Sequence, residues 1–287
     1  MKLGVSLHPL WTGGGDVPGR IAEAAIQAER AGLDHVRTGG HLLRGAVPRE
    51  SQDLDPLVML SVVAAVTRRL HLVAGILVLP LYEPVGLAGQ TASLDVVSNG
   101  RFTLGAGVGW DRAEFDAVGV PFGERGARTD RALATMRRLW ASDDLAVPPH
   151  TPGGPPVWVG GNSDAALRRA LRFGEAWHGS GVDAAALVEV RGRLERLAPH
   201  DRTANPLELT AVNFLVPPGF RAATTPPGRP IGGPDATLDA ILDEFGRLSE
   251  AGLTTCSLWM PLDAAALPDA IAWLATEIQP KLAPTDA

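Results

Sequence analysis

Two glycine-rich turns carry the clearest chemical signal in the sequence. In the first, a short apolar run ends in Gly107, Gly109 and Trp110; in the second, residues 156–159 run into the polar turn 160–163. Glycine lets another group approach the backbone closely, and a tryptophan beside it supplies a flat apolar wall. Together the two turns predict a site for a large planar ligand that carries a phosphate.

The first turn has two other interpretations. A dinucleotide-binding fingerprint, G-x-G-x-x-G, needs glycine at position 110, where Trp110 stands, so that motif is absent. A helix capped by Asp111, with Glu114 three residues later as a capping box, accounts for the turn without a ligand. Such a cap does not require glycine at positions 105, 107 and 109. We therefore accept the cap and still favour a ligand site here.

The second turn, Gly160-Gly161-Asn162-Ser163, leads into a predicted helix. The N–H groups at the start of a helix have no partner within it and lie at its positive end, which suits a phosphate. In the alternative interpretation, Ser163 only caps the helix. A double glycine followed by two hydrogen-bonding side chains favours the phosphate.

Three histidines lie at the ends of predicted strands. His41 follows the second strand, where a neutral imidazole beside a substrate would be a suitable general base for an alcohol proton. The alternative is an ordinary polar loop residue. His8 and His178 lie at equivalent strand ends and are candidates for the substrate pocket.

The other reactive residue types exclude several chemistries. Lys2 and Lys281 are the only lysines beside 24 arginines (26 − 2), and neither ends a predicted strand, so Schiff-base chemistry has no candidate. The seven histidines form no H-x-H or H-x-x-x-H pair, so no metal site is expected. Cys256, the only cysteine, excludes an internal disulfide and is predicted to be a buried strand residue.

Apolar runs alternate with helical patterns and predict eight strand-helix units. The predicted strands cover residues 3–7, 35–38, 70–77, 102–106, 156–159, 175–178, 207–216 and 254–260, and the helices 21–31, 56–66, 84–97, 125–141, 164–173, 184–197, 236–251 and 267–282. Eight such units fit one (β/α)8 TIM-barrel domain over residues 1–287, with a Pro/Gly-rich insertion, 217–234, after the seventh strand. A doubly wound sheet is the alternative. In such barrels, active sites form at the C-terminal ends of the strands, where the candidate residues lie.

Composition narrows the class of partner. A formal net charge of −6 argues against nucleic acid or an anionic membrane as the main partner. The apolar run after Lys2 is too short for a signal peptide or a spanning helix, so a cytoplasmic location is expected.

The motifs together resemble the luciferase-like monooxygenase family, in particular its branch of oxidoreductases that depend on the deazaflavin coenzyme F420. The similarity covers residues 74–80, 90–95, 100–110, 119–126, 156–163 and 174–178. It implies a (β/α)8 barrel that holds F420, or alternatively FMN, at the strand ends and acts on a small-molecule substrate. It also implies that His41 is the acid/base, that a bulge at Gly75 and Ile76 backs the ring, and that residues 160–163 take the phosphate. We expect the Gly75–Ile76 peptide to be cis.

Two departures from this family bear on function. Relatives commonly have Asp before the histidine, whereas this chain has Gly40, and a carboxylate near the cofactor is therefore predicted to be missing. The connection over residues 144–151 is also short, which predicts the loss of part of the pocket rim. Three functions stay open: F420-dependent hydride transfer, which we favour, FMN-dependent monooxygenation, and cofactor binding without catalysis.

The resemblance also implies a homodimer through the outer helices between the second and fourth strands. Residues there that could form the contact are Leu57, Leu60, Ala64, Leu87 and Ala88.

Overall fold

Eight parallel strands close into a barrel in the computed structural model, which describes residues 1–8, 15–43, 54–199, 206–226, 228–233 and 235–282. The strands are β1 (Lys2–Ser6), β2 (His35–Thr38), β3 (His71–Val78), β4 (Phe102–Gly107), β5 (Val157–Gly160), β6 (Ala176–Ser180), β7 (Glu208–Val216), β8 (Ile231–Gly232) and β9 (Leu253–Trp259). All but β8 form the barrel, in the order β6-β5-β4-β3-β2-β1-β9-β7, and pairing of β6 with β7 closes it. The predicted (β/α)8 barrel is confirmed; its extent as one domain over residues 1–287 stays a prediction.

Helices surround the barrel and bury their apolar faces against it. They are α1 (Val17–Arg30), α2 (Pro56–Val66), α3 (Pro84–Ser98), α4 (Arg112–Ala117), α5 (Arg125–Trp140), α6 (Asp164–Phe173), α7 (Ala184–Leu197), α8 (Leu238–Glu250), α9 (Leu267–Trp273) and α10 (Gln279–Leu282), the last two joined by a π-helical turn, Leu274–Ile278. Two of them, α2 and α3, begin where the sequence predicts, at a proline preceded by an acidic cap: Asp55 accepts from the N–H groups of Leu57 and Val58 at the start of α2. The helix predicted over residues 267–282 is thus divided by the π turn.

The Pro/Gly-rich segment after β7 lies where it was predicted, between β7 and α8. It contains β8, whose Ile231 and Gly232 pair in parallel with Leu215 and Val216 at the end of β7. Pro227 and Pro234, within this segment, lie outside the described residues.

A polar bridge crosses the inside of the barrel near the strand starts. The fully buried ring of His35 on β2 lies directly over Gly4 on β1. Any larger residue than glycine would be excluded at position 4, because its Cβ would overlap the ring. The His35 Nδ1 contacts Asp34 Oδ2 at 3.2 Å, and its Nε2 contacts the Ser257 hydroxyl at 2.7 Å. One side chain therefore joins β2 to β9 across the strand between them.

The short connection between α5 and β5 lies at this same end of the barrel. A Cβ at Gly100, just before β4, would lie 2.7 Å from His150 Cδ2. The Thr151 N–H donates to Asp95 Oδ2 at 2.7 Å, near the end of α3. Connections that lead from a helix to a strand lie at the end where strands begin, opposite the usual active-site face. The prediction that this short connection removes part of the pocket rim is therefore wrong.

Two further features bear on the kinds of partner. Among the helices that the structure describes, none is both long and apolar enough to cross a membrane. The described ranges also hold no group of three or more His, Cys, Asp or Glu side chains placed to bind a metal ion. The cytoplasmic location stays a prediction.

Candidate active site

The floor of the candidate site is an apolar side chain on β3. The Gly75–Ile76 peptide is cis, as predicted, and the pairing of β3 with β4 shifts between Ala74 and Leu77, which is the predicted bulge. Ile76 is partly exposed, whereas its neighbours Gly75 and Leu77 are buried. The bulge therefore presents the isoleucine side chain at the end of the barrel where β4 and β5 terminate.

Three glycines make room for that side chain. A Cβ at Gly107 would overlap Ile76 Cδ1, and a Cβ at Gly160 would lie 2.8 Å from the same atom. At Gly105, a Cβ would overlap the Ala74 carbonyl oxygen and lie 2.8 Å from Ile76 Cγ2. Ile76 fills the space beside these three glycines, where the sequence predicts that a ligand approaches the backbone directly. Their effect on a ligand would pass through the isoleucine floor.

A histidine and a tryptophan stand beside each other above the strand ends. The ring of His41, after β2, meets the Trp110 indole edge to face with 5.4 Å between ring centroids. Trp110 is 66% exposed, an unusual position for so large an apolar group. Gly109, before it, has φ +77°, and a Cβ there would overlap Val78 Cγ1, so the turn that presents the indole requires glycine.

A buried carboxylate holds the histidine. Glu114 on α4 has a fully buried side chain, and its Oε2 contacts His41 Nδ1 at 3.2 Å. Its Oε1 accepts from the N–H groups of Leu42 at 2.5 Å and Leu43 at 3.4 Å. Asp111 does cap α4, through the Ala113 N–H at 3.0 Å, but Glu114 faces the histidine and forms no capping box. Glu114 thus supplies His41 with a carboxylate although position 40 is glycine; whether a carboxylate near the cofactor is missing stays a prediction.

The predicted phosphate turn lies at the end of β5 and is open to solvent. Ser163 caps α6 by accepting from the Ala166 N–H at 3.2 Å, and this cap is compatible both with a phosphate site and with a purely structural role. Gly161 has φ +113°, and its carbonyl accepts from the buried Trp177 indole at 2.8 Å. The turn is exposed from Gly161 to Ser163 and leads into the first turn of α6, where the first N–H groups have no acceptor within the helix backbone. The geometry suits an anion, and whether one binds there stays a prediction.

Charge around this turn is balanced. Asp164, in the first turn of α6, is a negative charge next to the predicted phosphate, but Arg193 on α7 contacts its Oδ1 at 2.6 Å. The hydrogen bond from that guanidinium lowers the pKa of the Asp164 carboxyl. The pair leaves the helix start without a net opposing charge.

The two other histidines lie on different sides of the barrel. The ring of His8 meets the Trp259 indole of β9 edge to face, with 5.4 Å between ring centroids. The same indole meets the ring of Phe214 edge to face, with 5.3 Å between centroids. His178 is only 5% exposed and lies inside the barrel, stacked on Trp158. A part in a substrate pocket stays a prediction for both residues.

Burial determines the state of His178. Its Nδ1 contacts Thr210 Oγ1 at 2.9 Å, and that hydroxyl donates to the Trp177 carbonyl at 3.0 Å, so the histidine must donate through Nδ1. Burial, and then the nearby charge of Arg37, lowers the pKa of His178 to about 3. The ring is therefore neutral at physiological pH.

These elements fit a deazaflavin or flavin. Ile76 provides an apolar floor on β3, and His41 and Trp110 follow β2 and β4, the strands that pair with β3 on either side. The turn at Gly161 accepts only glycine without strain, because its φ is positive and a Cβ would lie 3.0 Å from Ala166 Cβ. An apolar surface for a ring and exposed N–H groups for a phosphate thus lie on the strand-end face of the barrel.

The contact of Glu114 with His41 was not predicted, because the sequence indicates this glutamate only as part of a helix cap. The absence of Asp before His41 is the one signal in the sequence that points to a carboxylate from elsewhere. Seventy-three residues separate Glu114 from His41, so their contact depends on the barrel.

One relative among known proteins is described as dependent on F420. The chain is 29% identical over 217 residues to an F420-dependent glucose-6-phosphate dehydrogenase of Kineococcus radiotolerans, covering 67% of this chain and 62% of that protein. The matched region spans 60% of the length of an uncharacterized protein of Mycobacterium bovis, which is 31% identical over 173 residues, and as little as 34% of the length of other curated relatives.

Solved structures share the fold. An F420-dependent secondary alcohol dehydrogenase, in complex with an F420-acetone adduct, superimposes with a TM-score of 0.74 at 18% identity over 98% of each chain. The oxygenating constituent of 3,6-diketocamphane monooxygenase from Pseudomonas putida, in complex with FMN, gives 0.75 at 16% identity over 98% of each chain. The profile of the luciferase-like monooxygenase family matches residues 1–217 of the chain. The chain belongs to the luciferase-like monooxygenase family.

Proposed function

We propose that the protein is an oxidoreductase that transfers hydride between coenzyme F420 and a small organic substrate. The observation that carries this proposal is the contact between His41 and the buried Glu114 at the strand-end face that also presents Ile76, because one face then offers both a proton-exchanging group and an apolar surface for a planar ring. The F420-dependent relative from Kineococcus radiotolerans supports this choice of cofactor.

Each part of the site has a stated task in this proposal. Ile76 and Trp110 bound the ring, and the turn from Gly160 to Ser163, with Gly161 and Asn162 between them, binds the phosphate. Once bound, a deazaflavin supplies hydride transfer at a ring carbon without activating oxygen. His41 exchanges the proton of the substrate, a role that commonly contributes about 10²- to 10⁴-fold to rate. The apolar floor and the indole exclude water from one side of the ring.

The alternative of a cofactor-binding protein without catalysis loses its support. It rested on Gly40 and on the short connection between α5 and β5. Glu114 provides a carboxylate to His41 in spite of Gly40, and the short connection lies at the opposite end of the barrel.

FMN-dependent monooxygenation stays the second candidate, and a binding experiment separates it from the first. The purified protein is titrated with oxidised F420, reduced F420 and FMN while tryptophan fluorescence is followed. We expect quenching by F420, then turnover of a member of an alcohol, enone and imine panel. Tight FMN binding with no response to F420 would overturn the proposal.

The quenching needs a control, because the chain has seven tryptophans. Trp110→Phe removes the indole at the site, whereas Trp273→Phe removes one at the end of α9, away from the strand ends. We expect the first variant to lose much of the cofactor-dependent quenching and the second to retain it.

We also propose a homodimer through α2 and α3, with a corrected set of contact residues. Leu57, Leu60, Ala64, Leu87 and Ala88, the residues predicted to form the contact, are at most 9% exposed and pack in the core. The exposed apolar residues on these helices are instead Val58, Val85, Val96 and Val97, the first of them 68% exposed. A groove lined by Val58, Ser61, Ser93 and Val97 runs between the two helices.

A further inference from the structure

Glu114 is a buried carboxylate whose two oxygens have different partners. Oε2 faces His41 Nδ1, and Oε1 receives two backbone N–H groups, those of Leu42 and Leu43. A buried carboxylate is costly unless hydrogen bonds compensate it, and here three donors do so. All of them belong to the segment after β2, so Glu114 fixes that segment as well as the histidine ring.

We propose that Glu114 is a positioning residue that holds neutral His41 with its proton on Nδ1, so that Nε2 exchanges the proton of the substrate. A carboxylate can only accept a hydrogen bond, and the ring nitrogen that faces it must therefore donate. The other nitrogen then carries the lone pair. The catalytic use of that lone pair rests on the proposed function, whereas the proton position rests on the contact alone.

The arrangement also explains how the chain functions with Gly40. Glu114 comes from α4, which follows β4, and Trp110 lies on the turn that leads into the same helix. The carboxylate that orients the histidine and the indole beside it thus share one short segment. A Cβ at Gly40 would lie 3.2 Å from the Leu54 carbonyl oxygen and 3.3 Å from Pro56, so this backbone leaves little space for an Asp there.

For an alcohol substrate, the proton balance is as follows. The O–H proton passes to Nε2 of His41 while the carbon loses a hydride to the deazaflavin, which leaves a carbonyl. The resulting imidazolium still donates its Nδ1 proton in a hydrogen bond to the Glu114 carboxylate. The negative charge of that carboxylate compensates the new positive charge of the ring. Reduction reverses both transfers.

Glu114→Gln tests the proposal because an amide cannot replace both oxygens. Its oxygen will face the two backbone N–H groups, since an NH2 group there would put donor against donor. The NH2 group then faces His41 Nδ1, which must become an acceptor, and the proton moves to Nε2. We expect nitrogen-15 NMR of neutral His41 to show Nδ1–H in the parent and Nε2–H in Glu114→Gln, with His41→Gln identifying the resonance.

Activity provides the second measurement. We expect Glu114→Gln to lower kcat by about 10²-fold or more, within the range for general acid-base catalysis, while the Kd for F420 changes less than about threefold. Asp111→Asn is the matched control, because it removes one charge from the same helix and preserves its N-cap. It should leave the His41 proton and kcat unchanged.

The outcomes separate this inference from the proposed function. Nε2–H in the parent protein would overturn the inference, and this measurement requires no variant to fold. Unchanged NMR signals and kcat in a folded Glu114→Gln variant would also overturn it. If the proton moves as expected while neither F420 nor a substrate is used, the positioning role stands and the proposed function fails.

Discussion

Replacing Gly107 by alanine is expected to destabilise the protein through one identifiable clash. The new Cβ would overlap Ile76 Cδ1 and lie 3.1 Å from Cγ1, and Gly107 is not among the glycines with positive φ, so backbone strain does not contribute. Overpacking a core typically costs 1–3 kcal/mol. Because Ile76 is partly exposed and its end can shift, we expect about 1–2 kcal/mol for this substitution.

The substitution Ile76→Val isolates that clash because it removes Cδ1 alone. An Ile to Val change costs about 0.5–1.5 kcal/mol at a buried site, and we expect the lower end here. In the double variant with Gly107→Ala, the clash is relieved, so a coupling of about 1 kcal/mol is expected. Gly105→Ala is the matched control: its Cβ would meet the Ala74 carbonyl oxygen and Ile76 Cγ2, which valine retains.

Urea unfolding of the parent, the single variants and the two double variants gives the coupling energies. The effect of replacing glycine on the unfolded state cancels within each cycle. If the effects of the glycine and Ile76 substitutions on the free energy of unfolding add to within about 0.3 kcal/mol in both cycles, the conclusion that Ile76 fills the space beside Gly107 is refuted. Equal coupling at Gly105 would show that the relief is not specific to Cδ1.

Three further predictions concern other parts of the molecule. Gly161→Val should weaken cofactor binding at least about tenfold, and unchanged affinity would mean that the phosphate binds elsewhere. Ser163→Ala should lower the free energy of unfolding by roughly 0.5–2 kcal/mol, because the helix cap is lost. Because burial lowers the pKa of His178 to about 3, its contribution to stability is complete above about pH 6.5 and is lost as the pH falls, by up to about 1.4 kcal/mol per unit. In urea titrations between pH 6.5 and 4, His178→Asn should lose stability less steeply than the parent, and parallel curves would contradict this. Sedimentation should show a dimer that Val58→Glu disrupts, and a monomeric parent at micromolar concentration would exclude this interface.

The sequence predicts the barrel well because strand and helix periodicity is local. The predicted strand over residues 35–38 and the helix over 56–66 match the structure to the residue. The bulge at Gly75 and Ile76 followed from family resemblance. These features depend on residues that are close in the sequence or on local motifs, and both are visible in the sequence alone.

The contacts within the site could not be predicted from the sequence, because they join residues that are far apart in it. Glu114 meets His41, and Ile76 fills the space beside Gly160, only because the barrel brings β2, β3, β4 and β5 together. Other errors were avoidable. Leu57, Leu60 and Ala64 recur at the spacing of one helical face, which predicts that they face the barrel and conflicts with a role in a dimer contact. The position of the α5–β5 connection follows from barrel topology alone.

The bridge from His35 to Ser257 has a consequence for synthesis of the chain on the ribosome. Its partners are 222 residues apart, and β1 also pairs with β9, so neither contact can form until nearly all of the chain has emerged. Until then β1 and β7 are open sheet edges, able to pair with strands of other molecules. Nascent or truncated chains that end before Leu253 are therefore expected to require chaperones and to aggregate, however stable the completed barrel is.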